Sequence, residues 1–196
     1  MIDMIFDLEG GTLPAAYPFA LWEALLQLVP QLAEEKSVGV LPLRATKEKE
    51  GWLISRRSKL ALRLPKKSAE HIAARLSGNT VQLGTYSLTL GKYKPREMLP
   101  YPTIHAQQVT GASDEVVFMD EIRAQLSEMG IAAMLICGKR GSIGDELISL
   151  QGYSLVAHDL KPDASLQLQY AGLGGNRQFG CGIFIPYKVI SGLSDD

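Results

Sequence analysis

Residues Gly172 to Lys188 read GLGGNRQFGCGIFIPYK, and the order of structure on either side of that run decides between two fold classes. A dinucleotide-binding loop needs G-x-G-x-x-G on a turn from a strand into a helix, so that the helix N-terminus faces the pyrophosphate. Here Arg177 stands at the third position and the order is reversed. The preceding Asp163 to Ala171 (DASLQLQYA) reads as a short helix and the following GIFIPYK as a strand. A G-x-x-x-x-G-K-[ST] phosphate loop fails as well, because no Lys-Ser or Lys-Thr pair follows a glycine at that spacing. Gly172 fits a helix C′ residue at positive φ. Gly174, Gly175, Gly180 and Gly182 imply that something approaches the backbone closely, since glycine is otherwise costly to order. An RNA or another chain meets that description.

Working outward, the 196 residues with 46% apolar content can form one domain or two small ones with packed cores. The first residues, MIDMIFDLEG, have no basic n-region, and no apolar run approaches the ~18 residues of a span; neither a signal peptide nor a membrane segment is expected, and the expected location is cytoplasmic. Cys137 and Cys181 lie far apart without C-x-x-C, which suits two reduced, buried thiols and no zinc site. The net charge of −1 does not itself point to a nucleic-acid partner, but its distribution does: nine basic residues against two acidic ones lie between Arg44 and Lys67.

The elements then fall into a repeated order. Ile2, Met4, Phe6 and Leu8 alternate with Asp3 and Asp7, as in a half-buried strand, and Leu21, Leu25, Leu28 and Leu32 mark a helix face. Val38 to Leu43 and GWLISRRSKLALRLP read as strands, joined by the charged KEKEG loop. Pro65 opens a helix with Ala69, Ile72, Ala73 and Leu76 inside and Gly78 at its end, and TVQLGTYSLTLG supplies a hairpin. After the Pro-rich joint KYKPREMLPYP the order begins again: the strand TIHAQQVTG, a helix capped by Ser113 with Phe118, Ile122, Leu126 and Met129 inside, strands AAMLICG and ELISLQGYSLVAH around a KRGSIGD turn, the helix near 162–171, and the last strand. The fold class is α+β, a tandem of ferredoxin-like (RRM-like) β-α-β-β-α-β domains, 1–97 and 98–196, with the break near residues 92–102.

A tandem ferredoxin-like chain ending in Gly-hydrophobic-Gly, five residues, Gly-hydrophobic-Gly resembles the CRISPR repeat-processing endoribonucleases, the Cas-six family of the RAMP superfamily. Gly172-Leu173-Gly174 and Gly180-Cys181-Gly182 fit that spacing without a gap. FDLEGGTLPAAYPFALWEAL, SRRSKLALRLP and GYSLVAHDLKPDASLQLQYAGLGGNRQFGCGIFIPYK resemble its short Cmx-six subgroup, of type I-MYXAN systems. The resemblance implies binding of CRISPR repeat RNA and metal-independent cleavage beneath a repeat hairpin, leaving a 2′,3′-cyclic phosphate, with no cofactor. It implies further that the enzyme can stay on its crRNA product among Cascade-type effector subunits. Its histidine position precedes a Pro-hydrophobic-Arg stretch after the first helix; in this chain VGVLPLR places Leu41 there, and leucine cannot move a proton. A non-catalytic hairpin-binding subunit is the alternative that this departure keeps open.

Cleavage of this kind needs a base for the 2′-hydroxyl, an acid for the 5′-oxygen and cations for the phosphorane. The catalytic candidates are Arg57 and Lys139 as cations and His105 as a strand-borne proton acceptor; His71 reads as a surface residue and His158 as structural. The RNA-binding candidates are Gly172, Gly174, Gly175, Asn176, Arg177, Gly180 and Gly182 in the loop, Arg56, Arg57 and Lys59 in the basic stretch, and Arg140. Arg177, alone among glycines, is the leading RNA contact, and consecutive Arg56 and Arg57 would point to opposite faces of a strand. Lys139 and Arg140 are placed at a turn. Asp3 and Asp7 read as a polar strand face rather than a Mg²⁺ site. The aromatic residues show no regular interleaving with basic ones, so no stacking platform for single strands is expected.

Overall fold

The computed structural model describes residues 1–49 and 51–187. In chain order the elements are β1 (Ile2–Glu9), β2 (Thr12–Leu13), α1 (Tyr17–Leu28), β3 (Gly39–Val40), β4 (Ala45–Glu48), β5 (Gly51–Ile54), β6 (Lys59–Leu64), α2 (Lys66–Leu76), β7 (Thr80–Leu83) and β8 (Tyr86–Arg96). There follow β9 (Ile104–Thr110), α3 (Glu115–Glu128), β10 (Met134–Gly144), β11 (Ser149–His158), α4 (Pro162–Ala171) and β12 (Ile185–Pro186).

The alternation of β1 decides what covers each face of the first sheet. Met4, Phe6 and Leu8 are buried against α1 and α2 with Leu21, Leu25, Ile72 and Leu76, as a period of two requires. Strand order is β3-β6-β1-β8-β7 in this sheet and β10-β11-β9-β12 in the second, with every pairing antiparallel. Taking β1, β3, β6, β8 and β9, β10, β11, β12 as first to fourth strands, both sheets run second-third-first-fourth. That is the β-α-β-β-α-β arrangement, made twice. A small third sheet, β2-β5-β4, is an addition to the first unit. The second unit has its own core, in which Phe118, Ile122 and Leu126 of α3 and Leu168 of α4 meet Ile104, Ala106, Leu155 and Ala157.

The other face of β1 meets the second unit. Its cross-strand partners on β6 are Asp3↔Arg63, Ile5↔Ala61 and Asp7↔Lys59. The two acidic residues are therefore ion-pair partners, Asp3 to Arg63 at 2.8 Å and Asp7 to Lys59 at 2.6 Å. Ile5 and Ala61 join Leu41 and Ile183 in a small apolar cluster that bridges the units. Arg63, 1% exposed, also donates from Nη1 to the carbonyls of Gln169 (3.0 Å) and Phe184 (2.8 Å) in the second unit. Arg96 Nη2 shares Asp3 Oδ2 with Arg63, at 2.9 Å.

At four places the chain departs from the structure its local sequence predicts. The joint KYKPR is strand: β8 runs to Arg96 and pairs Pro95 with Met4. β7 ends at its pairing with Thr89, so the outer side of β8 has no ladder there for the missing proline N–H to break. The SRRS segment is a turn, because Ser55 N donates to Ser58 Oγ at 3.0 Å and closes it. KRGSI belongs to β10, and the hairpin turns instead at Asp145, whose carboxylate accepts from Leu147 N (2.9 Å) and Ile148 N (3.0 Å). The cap of α3 is Asp114, not Ser113, with its carboxylate accepting from Val116 N and Val117 N. The last strand is short, Ile185–Pro186, and Lys188 of its expected span lies outside the described residues. Among the described residues no helix is long and apolar enough to cross a membrane.

Removing one partner of a buried ion pair leaves the other charge stranded, at a cost of about 3–5 kcal/mol. Arg63→Ala and Asp3→Ala are each expected to lower the unfolding free energy by that order. The double substitution should cost much less than the sum, as read by urea denaturation. Single variants that unfold at the wild-type urea concentration would show that the pair does not hold the units together.

Candidate nucleic-acid interface

The glycine-rich loop leaves α4 at Gly172, which caps the helix at φ +71°. It then folds into a 3-10 turn, Arg177–Phe179, between Asn176 (φ +56°) and Gly180 (φ +89°), both left-handed. A Cβ on Gly172 would strike the Arg177 guanidinium and the Gly182 carbonyl, one on Gly174 the Thr110 carbonyl, and one on Gly182 the Leu173 carbonyl. What approaches the loop backbone is the chain itself. Gly182 N donates to Gln108 O (2.7 Å), Cys181 N to Asn176 O (3.2 Å) and Gly174 N to Gln125 Oε1 (3.1 Å). Asn176 Nδ2 donates to Thr110 Oγ1 at 3.2 Å. Gly175 is the loop glycine that is exposed, with nothing within 4 Å of its Cβ direction.

Arg177 points inward, where the spacing alone suggests display to solvent. It is 7% exposed, with Nη2 3.5 Å from Ser37 O and with Nε and Nη1 buried without partners among the described residues. Burial, with the neighbouring positive charge of Arg63 added and Asp3 opposing, lowers its pKa from 12.5 to about 10. The loop also grips the first unit: Phe179 stacks on Phe19 of α1 at 4.5 Å between centroids, and Gly180 lies against Pro42. Leu41, in the position where a histidine is expected, is buried in the bridging apolar cluster against Ile183.

The other candidates are scattered around this joint. Arg56 and Arg57 are exposed on the β5–β6 turn, so they do not straddle a strand as their adjacency suggests. Lys59 is paired with Asp7. Lys139 and Arg140 are exposed at a bulge in β10, where the register shifts between Cys137 and Arg140, a place where strands re-aim side chains. His105 sits on β9 between Val156 and Ile185, with the Tyr187 ring edge-on at 5.3 Å. Its Nδ1 is buried without a partner among the described residues, and burial lowers its pKa below 6.5, against a hydrogen bond with the Ile185 backbone. Arg140 is opposite Tyr153, which pairs with Val109. At ~3.3 Å per residue and ~4.8 Å between strands, His105 is thus roughly 13 Å along the sheet from the bulge and two strands away. His105 and Lys139 do not share one reacting atom in this arrangement. His71 is exposed on α2, and His158 Nδ1 is 3.3 Å from Asp159.

Between the small sheet and the second unit lies a groove of about 670 Å³ that spacing did not reveal. Arg44, Lys47, Trp52 and Ser55 line one side, Gln107, Gln108 and Ser142 the other, with Tyr17 and Phe179 also in its wall. Among the described residues no carboxylate lines it. Arg57 lies two residues beyond Ser55 and Arg140 two residues before Ser142, so the exposed candidate cations bracket the groove in sequence. The Tyr17 hydroxyl accepts from Leu43 N at 3.2 Å, and burial raises its pKa above 10.0, which keeps it neutral.

A family model described as Cas6 Crispr matches residues 2–189. Over 187 residues the chain is 29% identical to the CRISPR-associated endonuclease Cas6 of Myxococcus xanthus (strain DK1622), covering 94% of this chain and 81% of that protein. Among solved structures, one described as an RAMP protein binding different RNA substrates is similar with a TM-score of 0.72 at 14% identity, over 94% of this chain and 98% of its own. Another, a CRISPR associated protein Cas6, matches with a TM-score of 0.68 at 12% identity, over 95% of this chain and 99% of its own. At such identities the structural likeness speaks for the fold alone.

Because the loop glycines are held by their own chain, Gly182→Ala and Gly172→Ala are expected to destabilise the fold by more than the ~1–2 kcal/mol of a left-handed alanine. Gly175→Ala, with open space beside it, should cost no more than that. Thermal unfolding of the three variants checks the ranking; equal losses at Gly175 and Gly182 would contradict it.

Proposed function

The chain belongs to the Cas6 family, and on that premise we propose that it is an endoribonuclease that binds CRISPR repeat RNA at the base of a hairpin and cuts it without a metal ion. The 2′-hydroxyl of one nucleotide attacks the adjacent phosphorus, the 5′-oxygen leaves, and a 2′,3′-cyclic phosphate remains. The observation that carries the reading is the groove between the units, lined by Arg44 and Lys47 and, among the described residues, by no carboxylate, with exposed Arg56, Arg57, Lys139 and Arg140 within three residues along the chain of its lining residues Ser55 and Ser142. A polyanion is drawn to such a surface, and fixed cations lower the cost of charge on the phosphorane. In this proposal Arg57 and Lys139 stabilise that charge, Arg56 and Arg140 hold flanking phosphates, and His105 is the reserve proton acceptor. Arg177 acts from inside, by holding the glycine loop. The reading takes residues 1–97 and 98–196 as two domains, on the ground that their apolar cores are separate. Cascade-type effector subunits are the proposed protein partners.

A second reading, a non-catalytic subunit that caps the crRNA hairpin, is favoured by one observation. Leu41 fills the histidine position with an apolar contact, and its buried surroundings of Ile5, Ala61 and Ile183 would disfavour the charged form of an imidazole placed there.

Single-turnover assays with the host repeat RNA in EDTA separate the two. Under the first reading, cleavage leaves a cyclic phosphate, and Arg57→Ala or Lys139→Ala slows it by about 10²-fold or more with RNA still bound. If His105 accepts the proton, the rate falls as pH drops below 6.5, because its lowered pKa keeps it neutral above that. The limb then disappears in His105→Ala. Activity that survives loss of all three histidines assigns the chemistry to the cations alone. Tight binding without cleavage selects the second reading, and absence of binding rejects both.

A further inference from the structure

Trp52 packs against the core of the first unit and is held by polar and aromatic contacts besides. Its ring is half-buried, pinned at one end by the Nε1 hydrogen bond to Ala15 O at 3.2 Å and braced edge-on by the Tyr17 ring at 6.1 Å and 79°. The indole is thereby fixed in orientation while still forming part of the groove wall. Directly opposite on β4 is Lys47, whose ammonium stands 6.0 Å from the ring centroid, the outer limit of a cation–π contact. The lysine therefore roofs the ring loosely and is free to turn to a phosphate. Gln107 and Ser142 are exposed across the groove, whereas the Gln108 amide is committed to Gly141 O at 2.9 Å. The volume, about 670 Å³, falls in the ~300–1,000 Å³ range of clefts that enclose small planar ligands.

We propose that this groove is a subsite for one unpaired nucleobase of the bound RNA, stacked on the Trp52 indole. Arg44 and Lys47 hold the phosphates beside it, and Gln107 and Ser142 meet the base edge. Every base has a π-face, so stacking on a rigid indole is tolerant of sequence. The two polar side chains are what would give preference for one base over another. The proposal rests on the RNA-binding reading above and adds to it a single-stranded nucleotide outside the hairpin. The small sheet that carries Trp52 and Lys47 is the addition to the first ferredoxin-like unit, so the subsite belongs to what this chain has built onto the common fold.

The chain has two tryptophans, Trp22 and Trp52, and Trp22→Phe leaves Trp52 as the sole reporter. Titration of that protein with its repeat RNA, followed in parallel by RNA anisotropy and by tryptophan emission, is expected to show saturable quenching with the same midpoint in both signals. An abasic substitution at one nucleotide beside the hairpin should abolish the quench. Trp52→Ala should weaken binding by between about fivefold and about a hundredfold without changing the salt slope. Trp52→Phe should restore most of the affinity, and Lys47→Ala should instead flatten the slope by about 0.7. RNA that binds by anisotropy without quenching, or quenching that survives every abasic substitution, overturns the subsite and leaves the functional reading standing. Wild-type protein that binds no repeat RNA removes that reading, and the subsite with it.

Discussion

The relative placement of the two units turns on Arg63. A guanidinium taken wholly out of water costs several kcal/mol unless its donors are met, and this one meets acceptors from both units. Nε and Nη2 face the Asp3 carboxylate on the neighbouring strand, and Nη1 reaches the carbonyls of Gln169 and Phe184. The apolar cluster beside it is small, four buried side chains, and apolar contact is non-directional. The hydrogen bonds of Arg63 are what make one orientation of the units better than its neighbours. Asp3 carries a double load, because Arg96 uses the same carboxylate. That explains why an aspartate is tolerated at 1% exposure in a strand otherwise apolar at the interface.

Arg177 is the counterpoint. It lies close enough to Arg63 for that charge to depress its pKa, and among the described residues two of its nitrogens have no partner. The glycine loop closes around this unfavourable charge, and it does so with backbone conformations that side chains would block. The loop thus acts as a clasp, tying the C-terminal end of α4 to β9, to the segment after α1, and through Phe179 to α1 itself. The groove exists because this clasp holds the small sheet of the first unit opposite β9 and β10 of the second. The cations that line it, Arg44 and Lys47, belong to the first unit, and the exposed Lys139 and Arg140 stand on β10 of the second.

Several features follow from the amino-acid order by short-range physics. Alternation at Ile2, Met4, Phe6 and Leu8 demands a strand with one apolar face, although docking of the second unit buries Asp3 and Ile5 on the other face as well; the leucine spacing from Leu21 demands a helix, and Gly172 after DASLQLQYA demands a helix end. The repeated order of elements, and the glycine spacing that marks the Cas6 family, are legible for the same reason: each is written within a few tens of residues. Short-range detail misleads where competing local bonds decide, as at Asp114, whose carboxylate takes the cap from Ser113, and at Ser55 and Ser58, which turn a continuous strand into two.

The set of elements, their order and the backbone freedom of the glycine loop are thus written in the amino-acid order, because sterics and hydrophobic periodicity act between near neighbours. The direction of Arg177, the pairing of Asp3 and Asp7 with basic residues about sixty and fifty positions away, and the meeting of Trp52 with Gln107 and Ser142 arise with the packed fold. Those outcomes depend on which strands pair and how two units dock. A buried guanidinium goes wherever its acceptors lie, and no spacing rule along the chain encodes that place.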